Sequence, residues 1–287
     1  MANPVDLLLI TRNRQHYLKR TLTQLFKDDS DFRIYWWDNG SNPELVEWVK
    51  SLDEPRIVKS HLAKENIGQL EPTYWFLQHA ESNVAGKIDD DILLPQGWTQ
   101  TLAEIVRSNP QAGMLACWIF LPEDYRDKWA QRYAISLGGH KVLRNVTVQG
   151  QSCLARTELL RRYADNYRGG FPIDQVKMTA DGYINGFPLP IQFGHNMDDP
   201  RSDYYVPATT EFGSPSSFTA HKLCFPTVER YVEWIEADAR ERQLLPFYIQ
   251  HLLVRSRNVD GLAGKILERI IAMLIRSNGI IWRNFRE

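Results

Sequence analysis

The chain has 287 residues, 43% of them hydrophobic and 24% charged, enough apolar content to bury a core without covalent staples. A formal net charge of -1 supplies no general attraction to nucleic acid, so no nucleic-acid partner is expected. Cys117, Cys153 and Cys224 are widely spaced, odd in number and free of any CxxC pair, which argues against a disulfide framework or a zinc-type site.

Val5 to Thr11 reads VDLLLIT, a continuous apolar run suited to a strand buried on both faces, stopped by Arg12-Asn13-Arg14. Between His16 and Phe26, residues Tyr17, Leu18, Leu22, Leu25 and Phe26 recur at helical spacing. Ile34 to Trp37 then resumes an apolar, aromatic run that ends at Asp38-Asn39-Gly40. A helix from Glu44 to Leu52, a strand near Ile57-Val58, a helix from Gln69 to His79 and a strand from Val84 to Ile88 continue the alternation. That order predicts an α/β fold with a parallel sheet and helices on both faces. Ligands of such sheets bind beyond the carboxyl ends of the strands, which places Thr11 to Asn13, Asp38 to Ser41 and Asp89 to Asp91 at one edge.

The second half is less regular. A strand from Met114 to Phe120, a hairpin around Ala134 to Val148 with Gly138-Gly139 in its course, and helices after Thr157 and Asp174 suggest a mixed sheet. Gly194 to Pro226 is rich in Pro, Ser, Thr, Gly and Asp and is expected to be a long functional loop. The expected division is a main domain over 1–225, with a first half to about 120 and a second half beyond it, and a helical extension over 226–287. Within that extension, Leu262, Ile266, Ile270 and Met273 lie on one side of a helix and Lys265, Arg269 and Arg276 on the other. Such a helix either packs on the main domain or lies in a membrane interface. The longest apolar run, Met114 to Leu121, is far short of the roughly 20 residues that cross a bilayer. With no secretory order at the N-terminus, the expected location is cytoplasmic, with the inner face of the membrane as its variant.

The most informative stretch is Lys87-Ile88-Asp89-Asp90-Asp91-Ile92-Leu93, an apolar strand that ends in three carboxylates. If strand geometry persists, Asp89 and Asp91 share a face with Cα atoms about 6.6 Å apart, and Asp90 points away. Two carboxylates can then flank one hard cation, and Mg²⁺ or Mn²⁺ commonly joins carboxylates to a substrate diphosphate. A solvated loop or a helix cap ahead of Pro95 is the plainer reading of the same triplet.

VDLLLITRNR, Trp37-Asp38-Asn39-Gly40-Ser41, Glu65-Asn66-Ile67-Gly68, KIDDDILLPQGW, and Val148-Gln149-Gly150 leading into Cys153-Leu154-Ala155-Arg156 follow one another in order. Together they resemble a family 2-type glycosyltransferase with the GT-A fold, over roughly residues 4 to 195. The resemblance implies transfer of a sugar, with inversion, from a nucleotide-sugar donor held by the first half to an acceptor held by the second, the donor and acceptor halves of one catalytic domain; the expected acceptor is a glycan of a bacterial surface polysaccharide or, from the basic helix of the extension, a lipid-linked saccharide. It implies a Mn²⁺ or Mg²⁺ cofactor at a DxD motif made of Asp89 and Asp91, with Asp90 in the middle position beside the donor. Thr11 and Arg12 are implied near the nucleotide, and Asn66 and Gly68 in the loop that approaches the donor. Asp38 is implied to accept a hydrogen bond from the base, which suits an N–H of uracil, thymine or guanine.

Transfer also needs a carboxylate to take the acceptor proton. The resemblance puts it at Asp174 before the helix that ends at Gly182-Tyr183, although the usual acidic pair is not present there; an N-cap role competes at Asp174, and Asp181 is the reserve. His195 occupies a place where some GT-A enzymes bring a histidine to the metal, against a purely structural role. Thr11-Arg12-Asn13-Arg14 replaces the glycine-rich turn a dehydrogenase would need. The rivals left standing are a metal-dependent nucleotidyl or phosphoryl transferase and a non-catalytic nucleotide-sugar or glycan-binding protein.

Overall fold

The run Val5–Thr11 becomes strand β1, whose residues alternate between two apolar layers: Leu7 and Leu9 enter one, Leu8 the other. Burial on both faces is what the unbroken apolar run requires. The computed structural model describes residues 4–165, 171–207 and 225–257. After β1 come α1 (Gln15–Leu25), β2 (Phe32–Asn39), α2 (Pro43–Lys50), β3 (Ile57–Ala63), α3 (Leu70–His79), β4 (Val84–Asp89), the short β5 (Ile92–Leu93) and α4 (Trp98–Ser108). The second half adds β6 (Ala112–Ala116), α5 (Asp127–Arg132), β7 (Ala134–Leu137), β8 (His140–Asn145), β9 (Ser152–Arg156), α6 (Thr157–Tyr163), α7 (Gln175–Ala180), β10 (Ile184–Leu189) and β11 (His195–Asn196). Helices α8 (Val228–Leu244) and α9 (Phe247–Arg257) follow.

The main sheet has the order β3-β2-β1-β4-β9-β6-β10-β8-β7, and β11 pairs with β5 in a separate ribbon. β3, β2, β1 and β4 are mutually parallel, as the alternation predicts. β9 runs antiparallel between β4 and β6, and β10, parallel to β6, carries the antiparallel β8-β7 hairpin. Helices α1, α2 and α4 cover one face through Leu18, Leu22, Leu45, Val49, Trp98 and Leu102. Helices α3, α6, α7 and α8 cover the other through Phe76, Leu160, Met178 and Tyr231.

The structure departs from the sequence expectations at several elements. α4, α5, β5, β9, β10 and β11 have no counterpart among them. The strand expected over Met114 to Phe120 begins at Ala112 and ends at Ala116: Cys117 N still bonds to Ser152 O at the end of β9, and Trp118 N turns instead to Gln192 O. The hairpin, the helices after Thr157 and Asp174, and the helix after Pro226 are present. α8 packs on the second half of the fold, where Gln243 accepts from Arg126 N (2.6 Å) and donates to Asp124 O (2.8 Å). The amphipathic segment Leu262 to Ser277 lies outside the described residues, as do Cys224 and much of the expected long loop.

One buried amide joins four pieces of the second half. β10 is irregular against β6 between Ile184 and Gly186, and the fully buried Asn185 stands at that irregularity. Its Oδ1 accepts from Met114 N (2.7 Å), a backbone donor that the irregular pairing would otherwise strand. Its Nδ2 donates to Val146 O (2.9 Å), Gln175 O (3.2 Å) and Thr179 Oγ1 (3.1 Å). Asn185→Ala would strand these groups, and a loss of about 3 kcal/mol is expected, read as a lower urea midpoint at unchanged slope.

Candidate active site

The carboxyl ends of β1, β2 and β4 meet at one edge of the sheet, and each ends in a hydrogen-bonded turn. Asp38, 1% exposed, accepts from Thr11 Oγ1 (3.1 Å) at Oδ1 and from Ser41 N (2.8 Å) at Oδ2. Thr11 Oγ1 in turn accepts from Trp36 Nε1 (2.9 Å), so both side chains are held in place. Asn13 takes the left-handed conformation, with φ 61°, and its N donates to Ser41 Oγ at 2.9 Å. Arg12, half-buried, lies between them.

Asn39 connects this turn to the next loop. Its Nδ2 donates to Asn66 Oδ1 (2.7 Å) and Gly68 O (3.0 Å), and its Oδ1 accepts from Ile67 N (3.1 Å). Gly40 permits the approach: at φ +76° an added Cβ would stand 2.7 Å from Glu65 Cα. Asn66 and Gly68 are therefore brought beside Asp38 by Asn39, a residue the sequence places at this edge without a role of its own.

At the end of β4 the acidic triplet departs from strand geometry. β4 stops at Asp89, and Asp90 and Asp91 occupy a turn. The expected alternation is lost: Asp90 and Asp91 converge on one guanidinium instead of pointing apart. Arg14 Nη2 pairs with Asp90 Oδ1, and its Nη1 with Asp91 Oδ2 (2.7 Å) and Asp198 Oδ2 (3.3 Å). Asp89 pairs with the buried Lys87. Burial pushes the Asp90 carboxyl up to about 7, Arg14 opposing and Asp91 and Asp89 adding to the rise. Burial also works against the Arg14 charge, but Asp90, Asp91 and Asp198 outweigh it and the guanidinium stays charged.

Three carboxylates around one guanidinium leave a formal excess of two negative charges. Asp91 Oδ1 is buried with no hydrogen-bond partner among the described residues. An unpartnered carboxylate oxygen in an over-acidic pocket fits a hard divalent cation bound through one or two carboxylates and a substrate diphosphate. A site built wholly by protein ligands is not what the geometry offers, since no group of three His, Cys, Asp or Glu among the described residues is arranged to hold an ion. His195 lies next to the turn, because β11 pairs with β5 and Met197 N donates to Asp91 O (2.8 Å). Its Nε2 is paired with Ser202 Oγ at 2.7 Å, and burial draws the imidazole below its ordinary value against the opposing pull of Asp199.

Asp174 caps α7, its Oδ1 accepting from Lys177 N at 2.8 Å. Phe171, just ahead of it in the chain, packs beside the segment that meets the end of β4: Asp89 N donates to Gln151 O (2.9 Å), and a Cβ on the adjacent Gly150 would stand 2.4 Å from Phe171 Cβ. Asp174 follows Phe171 by three residues, a reach of about 10 Å at most. Asp181 closes the opposite end of α7, where it accepts from Tyr163 OH (2.7 Å) and pairs with Lys177 (3.3 Å).

The geometry adds Arg14, Asn39, Lys87 and Asp198 to the residues found from sequence. A basic residue just after β1 and an acidic pair after His195 were visible signals, but their meeting depends on contacts 184 residues apart.

The family profile described as Glycosyl transferase family 2 matches residues 6–166. No curated protein matches the chain. Among solved structures it is similar to the mannosyltransferase PcManGT from Pyrobaculum calidifontis in complex with GDP-Man and Mn²⁺, at 18% identity and TM-score 0.51, covering 96% of this chain and 81% of that one. It is also similar to S. aureus TarS 1-349 in complex with UDP-GlcNAc, at 15% identity and TM-score 0.52, covering 98% and 93%. At these identities the likeness carries the fold. The charge arrangement supplies its own test: Arg14→Ala leaves buried carboxylates uncompensated, and a loss of roughly 3–5 kcal/mol in chemical denaturation is expected.

Proposed function

Because the chain belongs to glycosyl transferase family 2, we propose that it moves a sugar from a nucleoside-diphosphate sugar to an acceptor hydroxyl, with inversion at the anomeric carbon. The observation that supports this reading most directly is the excess of carboxylates at Asp90, Asp91 and Asp198, with its unpartnered Asp91 oxygen, at an edge where three strands end. A divalent cation supplies positive charge to a departing diphosphate when bound there. Mn²⁺ or Mg²⁺ would be held by Asp91 and Asp89, and His195 would join them through Nδ1 with its Ser202 bond kept, or through Nε2 by giving it up.

The chain's own residues then have separable tasks. The Asp38–Ser41 turn, with Thr11 and Arg12 beside it, receives the nucleoside. The loop bearing Asn66 and Gly68, braced by Asn39, closes over it, and Asp90 keeps Arg14 beside the donor. Asp174 takes the acceptor proton as the acceptor oxygen forms its bond to the anomeric carbon. The bond from that carbon to the β-phosphate oxygen breaks, and its electron pair leaves with the nucleoside diphosphate. Capping does not conflict with this role, because the cap engages Oδ1 and leaves Oδ2 to receive the proton. The acceptor we propose is a glycan or a lipid-linked saccharide of a bacterial surface polymer. Among the described residues no helix is long and apolar enough to cross a membrane.

Titration calorimetry with UDP, GDP and dTDP, with and without Mn²⁺, tests the donor site. One diphosphate is expected to bind in a metal-dependent way, and Asp91→Ala to abolish that binding; failure of all three on folded protein would remove this reading. Asp174→Asn tests the base without disturbing the helix, since Asn caps as well as Asp but accepts no proton at neutral pH. Release of nucleoside diphosphate in the presence of acceptor is expected to fall by about 10²–10⁴-fold, with diphosphate affinity unchanged.

A further inference from the structure

Away from the acidic turn, a cleft of about 360 Å³ opens on the acceptor half, lined in part by Tyr125, Asp127, Gln131, Lys141, Leu189 and Phe193. Its walls come from α5, from the paired Lys141 and Leu189 of β8 and β10, and from the chain that leaves β10. That chain leads directly to the candidate active site. Phe193 is bridged to Trp118, His195 two residues on enters β11, and Met197 bonds to Asp91 O. Four residues span about 14 Å at most, so the cleft lies within a short saccharide's reach of the acidic turn.

The lining combines three features. Phe193 is a large apolar side chain left 37% exposed. It is fixed in place, edge-on to Tyr125 (5.5 Å, 83°), which is edge-on to the fully buried Trp118 (5.6 Å, 68°). Asp127 is oriented as an acceptor, its Oδ1 receiving Tyr125 OH (3.1 Å) and Gln131 Nε2 (3.3 Å), and Oδ2 receives no donor among the described residues. Lys141, across the cleft, has no partner among the described residues and offers donors.

A rigid ring, a directed acceptor and an ammonium form a surface of mixed character and balanced formal charge. A phosphate-bearing ligand would call for excess positive charge, and a lipid tail for a continuous apolar lining. A sugar ring presents a C–H face and an edge of hydroxyls that both donate and accept, which matches all three features in one cleft of ligand size.

We infer that this cleft is the acceptor-side saccharide subsite, where an outer sugar unit of the acceptor packs on Phe193 and hydrogen-bonds to Asp127 and Lys141 while the reacting hydroxyl lies at the acidic turn. The inference rests on the glycosyl-transfer reading and adds the place and chemistry of acceptor recognition.

Saturation-transfer NMR on the full chain tests it, with the methyl glycosides of glucose, galactose, mannose and N-acetylglucosamine and the corresponding disaccharides as probes. Transfer to the ring protons of at least one probe is expected, reduced at least fivefold in Phe193→Ala and in Asp127→Ala, with diphosphate affinity unchanged within twofold. Asp127 is exposed, so its variant stays informative if Phe193→Ala fails to fold. Transfer to none of the probes, or transfer undiminished in both variants, would overturn the subsite. Glycoside transfer lost in the variants of a protein that binds no diphosphate would sustain the subsite and count against the donor site alone.

Discussion

The guanidinium of Arg14 is the constraint on which the site depends. From the start of α1 it holds together the turn after β4 and the segment after β11, two parts of the chain whose carboxylates would otherwise repel one another. In a buried setting that repulsion is poorly screened, and a single shared cation is the least that allows Asp90, Asp91 and Asp198 to coexist. Because the compensation is incomplete, the pocket retains an appetite for positive charge. The same arrangement organises the edge structurally and, under the proposed function, is what a cation arriving with a diphosphate would neutralise.

Beside it stands a second device of different character. Asn39 is neutral, yet its amide bonds to three points of the neighbouring loop and fixes where that loop approaches the β2 turn. Asp38 works similarly, with both oxygens already serving Thr11 and Ser41. Each carboxylate oxygen has a further lone pair, so a turn-building role and a nucleobase contact are compatible at Asp38, as a cap and a proton acceptor are at Asp174. In both cases a site residue is oriented by the backbone bond it makes. The competing plain and functional readings of these residues describe two uses of one geometry.

How much could be read without coordinates follows from the range of the interactions involved. The runs at Val5–Thr11, Phe32–Asn39 and Val84–Asp89 are local patterns, and burial on both faces makes them strands in any order of events. α4 was also written locally, with Trp98, Leu102, Ile105 and Val106 at helical spacing, but Gly97 at φ +74° starts it with no side-chain cap. β9 is different in kind. Its antiparallel place between β4 and β6 is set by partners 60 or more residues away in β4, which no local period encodes.

The sequence alone determined the alternating architecture, the family to which the chain belongs and the strand end that carries the acidic residues, because each is recorded in short-range pattern and ordered motifs. It also limited the chemistry by what it lacks, a glycine-rich dinucleotide turn above all. Tertiary structure decided which charges meet. That Asp90 and Asp91 leave strand geometry together to share Arg14, that Asp198 joins them, and that Ser202 engages His195 are outcomes of β5-β11 pairing and of the turn after Asp89. Side-chain electrostatics act over a few ångströms in space, whatever the separation along the chain, so their partners become defined only once the sheet has brought distant segments to one edge.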